Sequence, residues 1–230
     1  MSSVKFWSVF SKILERIVKK QFLTHLNGNR IIPEVQHGFV SGRSRVTNLL
    51  SCLEEWTRNF DNGFQTDVVY LDFSKCFDTV SHEKLLHRLS FLGIQGSALS
   101  WLGSFLCGRQ QYVCVGKGRS QCKRVTSGVP QGTVLGPILF LCFSFDLYKY
   151  VKDCKVSIYA DDTKLFKRVM SVDDCRLLQA DIDRIYTWAK AWQLTLNPNK
   201  TQCIVLGGKK LKTLTFWIIM PSKMSVLFVI

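Results

Sequence analysis

Three aspartates have the side chains and the spacing to do chemistry. Asp72 stands near the end of the apolar run DVVYLDF (67–73), and Asp161 and Asp162 are adjacent within KVSIYADDTKLFKR (155–168). The β-branched, apolar content predicts strands at 67–73, 155–160 and 163–168, with the Asp pair in the turn of a hairpin. Where those strands are neighbours in an antiparallel sheet, the three carboxylates converge at one edge. Clustered carboxylates are what Mg²⁺ takes, because it prefers hard oxygen ligands and keeps positions open for substrate phosphates. Two such ions, about 3.5–4 Å apart, activate an attacking hydroxyl and stabilise a leaving oxygen. Singly the residues say less. An Asp-Asp pair is ordinary turn chemistry, and Asp72 alone could be a satisfied strand-end residue, although an unpaired carboxylate inside an apolar run is costly.

The rest of the chain reads as elements able to hold such a cluster. SKILERIVKKQFLTHL (11–26) places Ile13, Leu14, Ile17, Val18 and Phe22 on one helical face with basic residues opposite. QHGFVSGRSR is a glycine-punctuated loop leading into a helix at about 46–60. Asp78 or Ser81 caps a helix that carries Leu85, Leu86 and Leu89 and stops at Gly93. Residues 97–107 form a further helix. QQYVCVG and QCKRVTSG flank a GKGRS turn and read as a hairpin. The apolar stretch 134–148 is a buried helix, and 171–192 is a long amphipathic one presenting Leu177, Leu178, Ile182, Ile185, Trp188 and Trp192. A short strand at 202–206 follows. Strand, helix, hairpin, helix, strand is the order of a ferredoxin-like split βαβ unit: an α+β fold whose antiparallel sheet carries helices on one face.

Charge points to a polyanionic partner. Lys and Arg number 31 against 17 Asp and Glu, a net charge of +14, and neutralised phosphates release their counterions. No acid occurs from Lys84 to Phe145, a span holding Lys84, Arg88, Arg109, Lys117, Arg119, Lys123 and Arg124. That span is either a phosphate-facing surface or a solvated basic hairpin. The nine cysteines form no CxxC pair, which predicts reduced thiols inside the cell, in nucleus or cytoplasm, with Cys142 and Cys203 as small core residues. No run reaches the ~18 apolar residues of a membrane span. The N-terminus shows no secretory signal, so no membrane and no secretion are expected.

Four segments then carry a resemblance. LDFSKCFDTV (71–80), SGVPQGTVLGPILF (127–140), YADD (159–162) and LNPNKTQCIVLG (196–207) resemble, in order, the palm motifs of reverse transcriptases. VPQGTVLGPILF and LDFSKCFD are most similar to the non-LTR retrotransposon enzymes of the jockey and chicken-repeat kind. The resemblance runs from about Ser11 to Gly207. It implies a polymerase palm at 67–208, with inserted fingers and hairpin segments, and partial fingers at 1–66. The implied activity is RNA-directed DNA polymerisation: transfer of dNMP from a dNTP to a primer 3′-hydroxyl, with two Mg²⁺ or Mn²⁺ ions, an RNA template and a DNA primer. Oligomeric state is not implied.

The resemblance also implies roles. Asp72 and Asp161 would hold the metals with Asp162 beside them, and Phe73 would add its backbone carbonyl. Phe77 falls where the family has an aromatic gate against a ribose 2′-hydroxyl; its spacing alone suits a core aromatic. Pro130, Gln131 and Gly132 would form the turn that meets nucleotide and template. Lys200 matches a lysine near the triphosphate, an acid for the departing pyrophosphate, or else is a solvated turn lysine. Within QHGFVSGRSR, Arg43 and Arg45 would touch template or triphosphate, or else belong to a surface loop.

Some of the pattern departs from the family. Only MSSVKFWSVF precedes the first helix, where an Arg-Pro-containing fingers segment is expected, and the apolar segment 209–230 stands in place of a thumb. Phe145 occupies a position where relatives usually have Asn. A chain shortened in this way would be either a polymerase core, an inactive retroelement remnant that only binds nucleic acid, or an unstable product. A viral RNA polymerase usually has Gly before the Asp pair, where this chain has Ala160.

Overall fold

The structure, a computed structural model, describes residues 9–207 and the backbone of Leu227–Val229. The expected 209–230 tail and the first eight residues otherwise lie outside the described residues. In chain order the elements begin with helices α1 (Val9–Gly28) and α2 (Arg45–Asp61), then strand β1 (Gln65–Leu71). Helices α3 (Cys76–Thr79), α4 (His82–Phe91) and α5 (Gly96–Leu106) follow. Four two-residue strands come next: β2 (Gln110–Gln111), β3 (Cys114–Val115), β4 (Gly118–Arg119) and β5 (Lys123–Arg124). Helix α6 (Gly136–Ser144) and a 3₁₀ turn (Leu147–Tyr150) lead to β6 (Lys155–Tyr159), β7 (Asp162–Val169), α7 (Val172–Ala191), β8 (Gln202–Leu206) and β9 (Leu227–Val229).

These elements form two compact units. One joins the chain up to Ile32 with Lys75–Phe145; the other joins Pro33–Ser74 with the chain from Asp146 onward.

The second unit holds a five-stranded sheet in the order β6-β7-β1-β8-β9. All its pairings are antiparallel except β8 with β9. Its middle strand is QTDVVYL, buried at every position but Tyr70: Val68–Leu71 is an unbroken apolar run rather than an alternating one, and Gln65, Thr66 and Asp67 before it are buried polar residues. Val68 sits opposite Phe166 and Val69 opposite Leu165, so the two pairs face opposite ways. The Val68/Phe166 face packs on Cys52 and Trp56 of α2, with the Trp56 and Phe166 rings edge-on at 5.8 Å. Asp67 shares the Val69 face, and its charge acts on Cys175 of α7. Helices thus stand against both faces around β1, where helices on one face were expected; α2 follows directly before β1 and folds back on it.

Helix ends follow their sequence signals. Ser44 and Ser171 each close a capping box, with Thr47 and Asp174, a device that contributes about 1 kcal/mol. Asp181 shows a polar use of an apolar helix face. It lies among Leu178, Ile182 and Ile185 of α7, fully buried, and accepts hydrogen bonds from the amides of Lys152, Asp153 and Cys154, each at 2.8 Å. This fixes the chain just before β6.

In the first unit, α4 packs against α5 and α6. Ser81, not Asp78, caps α4. The face expected on α1 is buried at Phe22 but not at its start. Ile13, Leu14 and Ile17 are exposed, while Glu15, Phe22 and Leu26 are buried. The reason is Glu15: its Oε2 accepts from the amides of Val134 (2.7 Å) and Leu135 (3.0 Å), capping α6 from outside. The hairpin forms as two short ladders, β2 with β5 and β3 with β4, all exposed. Two basic residues leave the expected phosphate-facing surface. Arg88 is buried with its guanidinium 4.8 Å from the Phe145 ring centroid. Arg109 donates to the carbonyls of Leu106 (2.8 Å) and Gly128 (3.0 Å).

Cys142 and Cys203 are buried, and every cysteine among the described residues is free. No helix among the described residues is long and apolar enough to cross a membrane.

Candidate active site

The sheet gathers the three aspartates. Asp72 directly follows β1, whose last residue, Leu71, pairs with Thr163, next to Asp162. Tyr159 pairs with Asp162, so Ala160-Asp161 is a two-residue loop between β6 and β7. The carboxyls of all three residues interact. The Asp162 pKa is raised above the ordinary carboxylate value, first by partial desolvation, then by the negative charges of Asp161 and Asp72. Arg45 and Lys164 offset part of the rise.

The segment after β1 is stitched to the strand entry beyond α7. Asn197 donates its amide to the Asp72 carbonyl at 2.7 Å, Phe73 bridges Leu196, and Ser74 donates to the Thr195 carbonyl at 2.8 Å. The Phe73 ring is buried, edge-on to Trp188 at 6.2 Å. The same stitching delivers Lys200. Its Nζ stands 3.8 Å from Asp72 Oδ2, an ion-pair separation too long for a hydrogen bond. That Asp72 oxygen is buried and accepts no hydrogen bond.

The chemistry of this set suits a hard divalent cation: oxygen donors only, mutual repulsion at Asp162 and a buried oxygen with no donor. Among the described residues no three His, Cys, Asp or Glu side chains close around one point as ligands. A cation held here would therefore take fewer protein carboxylates and complete its shell with phosphate oxygens and water, as Mg²⁺ commonly does.

The two arginines part ways. Arg43 donates Nη1 to the carbonyls of Pro33 (2.9 Å) and Gln36 (2.6 Å), so its guanidinium holds its own loop in shape. Arg45 is exposed, 5.2 Å from the Tyr159 ring centroid, and its charge reaches Asp162.

Phe77, Pro130, Gln131 and Gly132 belong to the other unit and are joined there. The Phe77 ring stacks on Phe140 at 4.3 Å and 21°. Its carbonyl accepts from the Val129 amide at 2.8 Å, and Val80 accepts from Gly128 at the same distance. Gly128 is required: at φ 89, a Cβ there would lie 2.7 Å from the Asp78 carbonyl oxygen. Pro130 is buried and its carbonyl accepts from Thr133 Oγ1 at 2.6 Å. Gln131 and Gly132 are exposed. Gln131 Nε2 donates to Asp78 Oδ1 at 2.8 Å, a role for Asp78 that the sequence did not disclose.

Sequence reasoning also missed residues behind the Asp pair. Buried Asn48 donates Nδ2 to Ser157 Oγ (2.6 Å) and to the Ile158 carbonyl (3.2 Å), and accepts from Lys164. Gln36, buried as well, bonds the backbone of Ala160. Gln36 stands in a glycine-punctuated loop and carries no periodic signal, whereas Asn48 shares a buried face of α2 with Cys52 and Trp56 at helical spacing, a pattern that could have marked it.

With this geometry in place, comparison with known proteins is informative. The reverse transcriptase (RNA-dependent DNA polymerase) family matches residues 3–219. The chain belongs to that family. It is 31% identical over 202 residues to the probable RNA-directed DNA polymerase from transposon BS of Drosophila melanogaster, covering 84% of this chain and 22% of that protein. It is 29% identical over 206 residues to the RNA-directed DNA polymerase from mobile element jockey of the same organism, covering 86% of this chain and 22% of that protein. The chain thus spans about a fifth of the length of these relatives. Among solved structures it resembles apo telomerase from Candida tropicalis, with TM-score 0.60 and 14% identity over 83% of this chain and 40% of that one. A telomerase from the same organism in complex with a telomeric RNA fragment gives TM-score 0.62 and 12% identity over 82% and 33%. At such identities the likeness is one of fold.

Proposed function

We propose that this chain is the palm-centred core of a non-LTR retrotransposon reverse transcriptase, extending a DNA primer on an RNA template from dNTPs. The observation that carries the reading is the electrostatic coupling of Asp72, Asp161 and Asp162 at the ends of adjacent strands, with Lys200 beside Asp72. Residues 67–208 are read as the palm with inserted segments, and 1–66 as partial fingers.

Two divalent ions, Mg²⁺ or Mn²⁺, would supply charge neutralisation of the triphosphate and a lowered pKa for the primer hydroxyl. Asp72 and Asp161 would hold them, with Asp162 adjacent and the Phe73 carbonyl as a further oxygen. Lys200 Nζ donates a proton to the departing pyrophosphate. Arg45 lends positive charge on the triphosphate side. Phe77 excludes the ribose 2′-hydroxyl, and Pro130, Gln131 and Gly132 meet the nascent base pair, in the roles the family gives those positions. Phosphoryl transfer depends mostly on such positioning and electrostatics. Lys117, Arg119, Lys123 and Arg124 on the exposed hairpin suit the phosphates of the primer-template.

Primer extension on an RNA template with labelled dTTP and Mg²⁺ or Mn²⁺ tests this. The chain extends the primer, and Asp161→Ala/Asp162→Ala does not. Extension that survives the double substitution overturns the proposed role of the pair. No extension by either, with primer-template still bound, would leave a nucleic-acid-binding core without polymerase activity.

A further inference from the structure

The turn that carries Asp161 and Asp162 is built against its own conformational preference. It is a two-residue hairpin loop, and its first residue, Ala160, has φ 58. Hairpin loops of this length with a left-handed first residue strongly favour glycine there. A Cβ in that region costs roughly 1 kcal/mol or more, and such strain persists only where surrounding structure imposes it.

The imposing structure is the side-chain amide of Gln36. Oε1 accepts from the Ala160 amide at 2.9 Å, and Nε2 donates to the Ala160 carbonyl at 3.3 Å. The same Oε1 accepts from the Gly38 amide at 2.7 Å, so the amide is held from its own side as well. Gln36 is 4% exposed, and water has no access to replace it. On either side, Ile158 donates to the Val35 carbonyl and accepts from the His37 amide, both at 2.8 Å. Gly38 completes the device. A Cβ there would lie 2.2 Å from the Ala160 nitrogen and 2.8 Å from its Cα, a backbone collision with no flexible group to give way.

We infer that Gln36 is the positioning residue of the Asp161-Asp162 turn: its amide holds Ala160 left-handed, and Gly38 is glycine so that the loop can lie against that turn. Gln36 touches neither carboxylate. It acts on the direction in which the pair leaves the sheet. The lock is a property of the fold; its effect on nucleotide incorporation rests on the polymerase reading above.

Two readouts keep the two ideas apart. The first is amide hydrogen exchange at Ala160 in the full chain, with the Val68 and Val69 amides of β1 as internal controls. In Gln36→Leu, Ala160 loses protection by about tenfold or more while the β1 amides keep theirs. Gln36→Glu, which retains the acceptor for both amides, restores most of it. The second is single-nucleotide incorporation at saturating primer-template. Gln36→Leu lowers the rate by about 10²-fold, the scale of a misplaced reacting group. The dissociation constant for primer-template stays near wild type while the unfolding midpoint falls, because two buried amides lose their acceptor, and Gln36→Glu recovers much of the rate. Gly38→Ala reproduces the loss of Ala160 protection through the opposite partner. Unchanged Ala160 exchange in Gln36→Leu overturns the lock. Lost protection with undiminished incorporation overturns its positioning role. If the wild-type chain extends no primer, the polymerase reading fails, and Ala160 exchange still decides the lock.

Discussion

Lys200 Nζ lies 3.8 Å from Asp72 Oδ2, a consequence of β1 pairing with β8 in the register Tyr70↔Gln202. The lysine itself is mostly exposed, so as a stability element the pair is worth about 0–1 kcal/mol. Its proposed importance is chemical. Lys200→Met is expected to leave the unfolding midpoint nearly unchanged and to lower single-turnover incorporation by about 10²-fold or more, the usual range for a lost general acid. The pH profile of incorporation is the discriminating measurement: its alkaline limb should differ between the wild type and the variant. An identical profile at a reduced rate would remove the proton-donor role.

The crowding at Asp162 predicts a stability gain from damaging the site. Asp162 is disfavoured as an anion by partial desolvation and by Asp161 and Asp72. Removing one charge relieves the repulsion, so Asp162→Asn should raise the thermal midpoint at neutral pH in the presence of a chelator. Mg²⁺ should then stabilise the wild type more than the variant, because a ligand stabilises only the state it binds. Unfolding curves with and without Mg²⁺ check both signs. A lowered midpoint together with equal Mg²⁺ shifts would contradict the cluster.

Asp181 should give the chain an acid-sensitive fastening. Burial alone would push its carboxyl upward, but the amides of Lys152 and Asp153, with the Cys154 contacts, outweigh it and hold the pKa below the ordinary value. The unfolded carboxyl titrates near 3.9. Asp181 therefore contributes stability above about pH 4 that is lost as pH falls through the lower folded value. Asp181→Asn is expected to cost roughly 2–3 kcal/mol at neutral pH, where a buried carboxylate acceptor is replaced. The gap between the two proteins should narrow below about pH 4, measured by denaturant unfolding. A gap constant down to pH 3 would refute the assignment.

Glu15 is tested by the helix it caps. Glu15→Ala leaves the Val134 and Leu135 amides without their acceptor, at a cost of about 2 kcal/mol. The expected fall in midpoint is about 4–8 °C for a chain of this size. Glu15→Gln, which keeps a neutral acceptor, should lose less. Equal losses would show that packing around Glu15, rather than the cap, carries the effect.

The local elements were largely legible, and the long-range polar bonds were not. The apolar run around Asp72, the hairpin around Asp161-Asp162 and the serine caps at Ser44 and Ser171 follow from neighbours in sequence. Periodicity failed at the start of α1 because Glu15 is buried for a bond made 119 residues away, which no helical wheel contains. Gln36 is bonded across 124 residues and offers no pattern at all. Asp181 did carry a signal that went unread: a carboxylate at helical spacing between Leu178 and Ile185. The divergent fates of Arg43 and Arg45 were equally hidden. The two residues are alike in charge and only two positions apart in sequence, and what distinguishes them is the pair of carbonyls, of Pro33 and Gln36, that Arg43 reaches.

The Val35–His37 segment has a second effect, on assembly. β6 ends the five-stranded sheet, and an end strand offers its outward amides and carbonyls to any extended chain that arrives. Here Ile158 already gives its amide to Val35 and its carbonyl to His37. The end of that border next to the aspartate turn is occupied from within the molecule, so a strand from another copy meets a shortened ladder. The short bridge that orients the aspartate turn therefore also discourages intermolecular β-stacking along β6.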